Sequence, residues 1–509
     1  MNPDRLVQNP IHNMKKLSYV LLALLLSSCL SQEGQFTDTP GEAKLIVLAP
    51  ADEQIALVQY RMDSIYDRTV HVFATEGAYL DAYLSRIEQF NSRTDSATSW
   101  NEVVESEGDP LERLLAKRPG NIVLLSGRTA TTGQYLFPCI EAGLNTLSSA
   151  PLAANTADFN KLRQATELAD KQETLIGELT PERYEIASMI QRALARTPEF
   201  YGIQLCGSAE DPSVRSESVL PLLSPWSGNS PASASSKSDA TPGPNTAEMG
   251  ETWCYPSDAL GMRYAFLLAA APRIDLIQLA LLGRERINYE RQIQFTAARR
   301  SSVVLSKQEY LKASGATALP AELEAQLTGD SLRLPGNGEL AYVLNGVHTT
   351  LSVRYYLPIK ENTSGSQKGD AATTNQTVSA GFPTPVRLPY RKLMLRGEKA
   401  ILTLVEEPAD YPQLYVEPAT GIDSAQFDRS LRAALAQLGE LTEGVTLTSV
   451  GNGYRVEIPE QARTTLPTRI TQSSLQYIDY LIQGFTPYWE TDHLLAKYYT
   501  LIRPFDEVH

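Results

Sequence analysis

The chain reads as a mixed α/β protein. It has a small α/β layer near its N-terminal end, a mainly helical middle, and an antiparallel, β-rich C-terminal part with packed helices. Three observations predict this. Between residues 44 and 127, short apolar runs alternate with stretches of helical periodicity. Residues 155–205 and 257–300 carry apolar positions at the spacing of a helix face. From about residue 335, apolar and polar residues alternate one by one between turn signals.

In the first part, Lys44–Ala49 is an apolar run closed by Pro50, and Thr69–Phe73 and Asn121–Leu125 are two more strand candidates. Ile55, Val58, Met62 and Ile65 mark one helix face between them, and Leu80, Leu84 and Ile87 a second. Strands separated by helices form a parallel sheet, because each crossover holds a helix. This α/β domain is assigned to residues 44–150, and residues 29–43 to a polar tether before it.

Residues 151–330 are read as mainly helical. Thr180-Pro181-Glu182 is a helix start: a hydroxyl cap, proline in the first turn, then an acid. Ile186, Ile190 and Leu194 continue its buried face. Residues 207–252 are rich in Ser, Pro and Gly and read as a disordered insertion. Tyr264–Ala271 is apolar all round but too short to span a bilayer.

The β-rich domain covers residues 331–412. Asn345-Gly346 between apolar runs predicts a tight hairpin, since both residues accept positive φ. Arg396–Lys399 predicts another, and residues 361–380 a polar loop. In the last part, 413–509, the order is strand, helix, then a hairpin through Gly451-Asn452-Gly453. Phe427, Leu431, Leu435 and Leu438 line the helix. Two aromatic-rich helices, broken near Gly484 and Pro487, end the chain; their rings are read as core and interface contacts, with stacking on a glycan as the alternative.

Ahead of all this stand Lys15, Lys16, ten mostly apolar residues from Leu17 to Leu26, and Ser27-Ser28-Cys29. An apolar core of about 7–15 residues before small residues is a secretory signal. With the cysteine it resembles the lipobox of bacterial lipoproteins. The resemblance implies lipidation of Cys29, a signal peptide over residues 1–28 that begins in truth at Met14, and a periplasm-facing outer-membrane location, since Leu30 follows the lipid site. The strand, helix and hairpin of residues 413–458 resemble a BamC-type helix-grip module, a resemblance that supplies no functional residue.

A net charge of −14 opposes nucleic-acid binding. Of the remaining cysteines, Cys206 and Cys254 flank the insertion and are paired in a disulfide, with Cys139–Cys206 as the competitor. The five histidines form no ligand pattern, and His493 is read as a surface residue, so no metal site is expected. No nucleophile motif or P-loop occurs, and no catalytic residue or cofactor is assigned. One loop follows a strand end where it can cradle an anion: Gly127, Arg128, Thr129, Thr131, Thr132 and Gly133. The expectation is a lipid-anchored, non-catalytic binding or scaffold component, held to the membrane by its lipid and docked on another envelope protein. The alternatives are a lipid-anchored enzyme of peptidoglycan or another glycan, and a solute-binding lipoprotein.

Overall fold

Four consecutive buried apolar residues, Leu45–Leu48, form β1. A strand apolar on both faces belongs inside a sheet that is covered on both sides. The structure, a computed structural model, describes residues 36–507 except 38, 52, 95, 127–131, 150, 223–263, 315–316, 320, 358–376, 379–385, 388 and 408–410. It places β1 within a six-stranded sheet of order β3–β2–β1–β4–β5–β6. The other strands are β2 (Thr69–Phe73), β3 (Asn101–Glu105), β4 (Ile122–Leu125), β5 (Asn145–Ser148) and β6 (Ile176–Glu178). Every pairing is parallel.

Side chains alternate across the sheet, so each face has its own core. Ile46, Leu48, Val123 and Leu125 meet α2 (Pro110–Lys117), α3 (Thr132–Glu141) and α4 (Thr156–Gln172). Leu45, Val47, Ile122 and Leu124 meet the 3-10 helix Glu53–Gln59 and α1 (Ala78–Asn91). Caps fix where these helices begin: Asp109 accepts from the Glu112 amide and Asn155 from that of Asp158.

The second sheet has nine strands in the order β16–β17–β15–β14–β13–β7–β10–β9–β8. They are β7 (Val214–Pro221), β8 (Ile293–Ser306), β9 (Ser331–Leu344), β10 (Val347–Tyr356), β13 (Tyr390–Arg396), β14 (Ala400–Glu406), β15 (Gln413–Pro418), β16 (Thr446–Val450) and β17 (Gly453–Glu457). The short pair β11 (Thr377–Val378) and β12 (Val386–Arg387) stands apart. Only β7 and β10 run parallel; the rest of the sheet is antiparallel. Asn345 and Gly346 take the positive φ values of 48° and 85° that the β9–β10 turn needs.

Two helices pack on the nine-stranded sheet. Ile186–Leu194 is α5; its buried Gln191 donates through Nε2 to the Leu393 and Leu402 carbonyls and so ties the helix to the β13–β14 hairpin. Ala265–Leu281 is α6, buried on nearly all sides. After α7 (Lys307–Ser314) and α8 (Ser424–Gln437), the chain returns to the parallel sheet. There α9 (Leu466–Gln483) buries Ile470, Tyr477 and Ile478 in the core of the β1–β4 face. Last comes α10 (Tyr488–Glu507), which packs on α4 and α6.

The coarse expectation of a parallel α/β part followed by a mostly antiparallel sheet with helices is what the structure contains. Its finer parts need correction. The middle is not mainly helical: β5 and β6 complete the parallel sheet, and β7 and β8 belong to the second one. Residues 214–221 fall inside the expected disordered insertion, yet β7 sits centrally between β10 and β13. The residues 413–458 are not a free-standing helix-grip module, because β15, β16 and β17 continue the nine-stranded sheet. Cys206 is a free, exposed thiol and Cys139 a free, buried one, so the structure contains neither expected disulfide among the described residues; Cys254 lies outside them. Cys29 and the whole signal segment also lie outside the described residues. No helix among those described is long and apolar enough to cross a membrane.

One buried cluster gives the parallel sheet a pH dependence. Tyr83 Oη lies 2.6 Å from Gln59 Oε1 and 2.8 Å from Glu102 Oε2, while Gln59 Nε2 donates to Glu102 Oε1 at 2.8 Å. Burial raises the Glu102 carboxyl to about 7, against the lowering pull of the Gln59 and Tyr83 hydrogen bonds. A carboxyl raised on folding stabilises fully below its unfolded value of 4.5, and the contribution is lost as pH rises through about 7. Denaturant midpoints should therefore fall between pH 5 and 8 by the equivalent of about 2–3 kcal/mol. Glu102→Gln, which keeps the neutral geometry, should flatten that slope.

Candidate functional site

A parallel sheet of this order changes direction between β1 and β4, and ligands of such sheets sit beyond the carboxyl ends of the strands at that point. After β1 comes Ala49-Pro50-Ala51. Ala49 adopts φ 47°, a left-handed conformation unusual for a residue with a Cβ. Its amide donates to the Phe73 carbonyl at 2.8 Å, and the Ala51 amide donates to Ser126 Oγ at 3.0 Å. After β2 come Thr75 and Glu76, both exposed; Ser106 Oγ, beyond β3, donates to Glu76 Oε1 at 3.2 Å. After β4 comes buried Ser126, and α3 starts at Thr132, whose buried Oγ1 has no partner among the described residues. Beyond β5, Ser149 Oγ is likewise buried without one.

Doubly wound sheets take dinucleotides at this place. The pyrophosphate normally lies on a Gly-x-Gly-x-x-Gly turn at a helix N-terminus, and an acid about 20 residues on binds the ribose. Glu76, exposed at the end of β2, fits the ribose role. The first turn does not fit the pyrophosphate role. It has Ala-Pro-Ala where glycines would admit the phosphates, Pro50 has no N–H, and the Ala51 N–H is already engaged. A 3-10 helix, Glu53–Gln59, follows in place of an α-helix.

At the other end of the sheet, charge is concentrated in the interior. Directly after β6, Arg183 donates to both Asp275 oxygens at 2.7 Å and to both Glu490 oxygens at 2.8 and 2.9 Å. Lys497 donates to Glu178 Oε2 at 2.7 Å. Tyr498 Oη donates to Glu178 Oε1 and accepts from the Leu152 amide at 2.8 Å. Burial works against the Asp275 carboxylate, but the Arg183 guanidinium outweighs it and holds this carboxyl down at about 2. For Glu178 burial prevails over Lys497, and its carboxyl is raised. These groups join β6, α6 and α10, and four of them, Glu178, Arg183, Glu490 and Lys497, line a cleft of about 60 Å³ together with Tyr477 and Tyr480. His493 lies beside them and is fully buried, not on the surface; burial lowers its imidazole, and Nε2 pairs with the Glu285 carbonyl at 2.9 Å.

Of the residues singled out in the sequence, Thr132 and Gly133 stand at the start of α3, beside the β1 turn. A Cβ on Gly133 would lie 3.3 Å from the Asp158 carboxyl carbon, so this glycine is where the chain is tight. Gly127, Arg128, Thr129 and Thr131 lie outside the described residues. Sequence patterns do not reveal Arg183, Asp275, Glu490 or Lys497, because separations of 92 to 319 residues bring them together with their partners. The one available signal is polar residues inside an otherwise apolar helix, Arg273 and Asp275 in α6. No group of His, Cys, Asp and Glu among the described residues is arranged to hold a metal.

Residues 266–375 and 390–508 match the family model described as "Putative oxidoreductase C terminal domain". A crystal structure titled "a putative oxidoreductase", from Parabacteroides merdae, is 29% identical. The match covers 93% of this chain and 99% of that one, with a TM-score of 0.76. Biliverdin reductase from Synechocystis, in complex with biliverdin and NADP+, is 10% identical over 91% of this chain and 98% of its own, at a TM-score of 0.49. A 3-ketoreductase from Actinomadura kijaniata, in complex with NADP, is 12% identical over 90% and 95%, at 0.45. No curated protein matches. The family match and the near full-length likeness to the Parabacteroides merdae structure overturn the reading of the chain as a non-catalytic scaffold lipoprotein with a helix-grip unit. The first turn carries Ala49-Pro50-Ala51 where a dinucleotide turn carries glycines, so no such motif stands in the sequence.

The Arg183 cluster makes a direct prediction. Arg183→Met leaves the buried Asp275 and Glu490 carboxylates without their cation. Removing one partner of a buried ion pair costs about 3–5 kcal/mol. Chemical denaturation at pH 7 should report a loss of that size.

Proposed function

We propose that this chain is an NAD(P)-dependent oxidoreductase of the Gfo/Idh/MocA-like kind, acting on a small molecule held between the carboxyl ends of the parallel sheet and the helix-covered face of the mixed sheet. The observation that carries this reading is the likeness to the Parabacteroides merdae structure, which spans both sheets and nearly all of both chains. Two features support it: the strand order of a doubly wound sheet, and an exposed acid, Glu76, at the end of its second strand. A carboxylate there accepts from a ribose diol and repels a 2′-phosphate, so the preferred form is NAD. The phosphates, for which the β1 turn is unsuited, fall to the start of α3. There the unpartnered Thr132 hydroxyl and the amides of the first helical turn are the donors at hand.

Fluorescence titration with NADH and NADPH tests the reading. NADH should bind the more tightly, and Glu76→Gln should weaken NADH by about tenfold while leaving NADPH nearly unchanged, the usual size for a hydrogen bond to a charged group. Absence of binding by either dinucleotide at millimolar concentration would overturn the assignment.

The place of action is a separate proposal that rests on residues 15–29 alone. A lipid on Cys29 would hold this enzyme at the outer membrane, facing the periplasm. Fractionation of cells should find the wild-type chain with membranes and Cys29→Ala in the soluble fraction; equal partition of the two would refute it.

A further inference from the structure

A carboxyl, an amide and a phenol close a ring under the edge of the parallel sheet. Glu102, half-buried on the edge strand β3, meets Gln59, the last residue of the 3-10 helix Glu53–Gln59, and Tyr83 of α1. Gln59 and Tyr83 are fully buried. The three contacts are Gln59–Glu102 at 2.8 Å, Tyr83–Gln59 at 2.6 Å and Tyr83–Glu102 at 2.8 Å, and each needs a hydrogen between its two atoms.

The hydrogen count fixes the charge of Glu102. An ionised carboxylate only accepts, and a phenol has one hydrogen to give. Gln59 Nε2 supplies the first contact, and the Tyr83 hydroxyl supplies one of the other two. The remaining hydrogen comes from the carboxyl, with Glu102 Oε2 donating to Tyr83 and Tyr83 donating to Gln59 Oε1. Turning the Gln59 amide over changes nothing. Nε2 then donates to Tyr83 and Tyr83 to Glu102, and the Gln59 and Glu102 oxygens still need the carboxyl proton between them. The ring closes only around a neutral Glu102.

No other charge competes for this proton. Tyr83 is the titratable group facing it from α1, the 3-10 helix presents the uncharged Gln59, and Val70 is its register neighbour on β2. No charged side chain among the described residues acts on the carboxyl, and burial favours its neutral form as well. On ionisation Tyr83 turns its hydrogen to Glu102. Gln59 Oε1 is then left against a phenol oxygen, and a buried acceptor without a donor costs about 1–3 kcal/mol.

The ring clamps elements that lead to the crevice. The 3-10 helix follows directly on the Ala49-Pro50-Ala51 turn. Just past the end of β3, Ser106 Oγ donates to Glu76, the candidate ribose acid. One further tie does not titrate: Trp100 Nε1 donates to the Gln59 carbonyl at 3.1 Å.

We propose that Glu102, Gln59 and Tyr83 form a proton-operated latch. Closed around neutral Glu102, it holds the 3-10 helix against β3 and α1; ionisation opens it, frees that helix and weakens dinucleotide binding. The latch rests on the hydrogen count, and its control of binding rests on the oxidoreductase reading.

Amide hydrogen exchange of the full chain and fluorescence titration with NADH test the two parts. Both are run at about pH 6 and about pH 8, either side of the Glu102 value of about 7. Glu102→Gln is the reference, because its amide donates in place of the carboxyl proton at every pH. Corrected for intrinsic rates, exchange over residues 53–59 should be about tenfold faster at the higher pH in wild type and unchanged in Glu102→Gln. NADH should bind about fivefold more weakly at the higher pH in wild type alone. Equal protection of wild type at both pH values overturns the latch, as does an equal loss of protection in Glu102→Gln. Faster exchange with unchanged NADH affinity overturns its control of binding. If NADH does not bind at all, the cofactor reading fails and exchange still decides the latch. Should Glu102→Gln fail to fold, the wild-type exchange decides.

Discussion

Arg183 holds the two sheets in one arrangement. It follows the last strand of the parallel sheet and clamps Asp275 of α6, the helix on which the mixed sheet packs, and Glu490 at the start of α10. Lys497 and Tyr498, farther along α10, grip Glu178 of β6 and, through the Leu152 amide, the end of β5. Hydrophobic contact alone is non-directional and would let the sheets slide. Buried charges forbid sliding, because each displacement leaves a carboxylate or a guanidinium without its partner in a medium that does not solvate it. The relative pose of the sheets, and with it the shape of the crevice, follows from this cluster.

That constraint also explains why α6 has the composition it does. A helix apolar all round fits anywhere in a core and specifies nothing. Arg273 and Asp275, both buried, give α6 one rotation about its axis: Asp275 towards β6 and Arg273 towards β14. The two charges answer to different sheets. Asp275 is fully satisfied by Arg183, whereas Arg273 keeps donors in reserve. Within one turn of helix, Arg273 answers to the mixed sheet and Asp275 to the end of the parallel one.

What the sequence makes visible follows from how each element earns its burial. β1 and β4 are continuous apolar runs and can be read directly, as can the Asn345-Gly346 hairpin. β5 is Asn-Thr-Leu-Ser, polar by composition and yet fully buried, because Asn145 satisfies its side chain on the Leu175 amide and the Asn121 carbonyl. No periodicity announces such a strand. β7 is hidden for another reason: Ser216 and Ser218 occupy its inward positions amid a serine-rich stretch, and only pairing on both sides makes a strand of it. β8, exposed along much of its length, is held by its long pairing with β9 and not by an apolar face.

The candidate site was less visible than the fold, and one residue shows why. Motif reading treats glycine as the mark of a phosphate turn, since a Cβ keeps the phosphates away and the left-handed φ is strained for other residues. Here Ala49 takes that φ without being glycine, its amide tied to the Phe73 carbonyl. The turn therefore takes a left-handed conformation of the kind glycine supplies, with alanine in its place. The architecture survives because strand order and burial maintain it, and those depend on residues spread along the whole chain. The motif depends on three positions, and a few substitutions erase it. A site without those glycines must draw its anion donors from elsewhere. In this molecule one donor without a partner among the described residues, the Thr132 hydroxyl, stands at the start of α3.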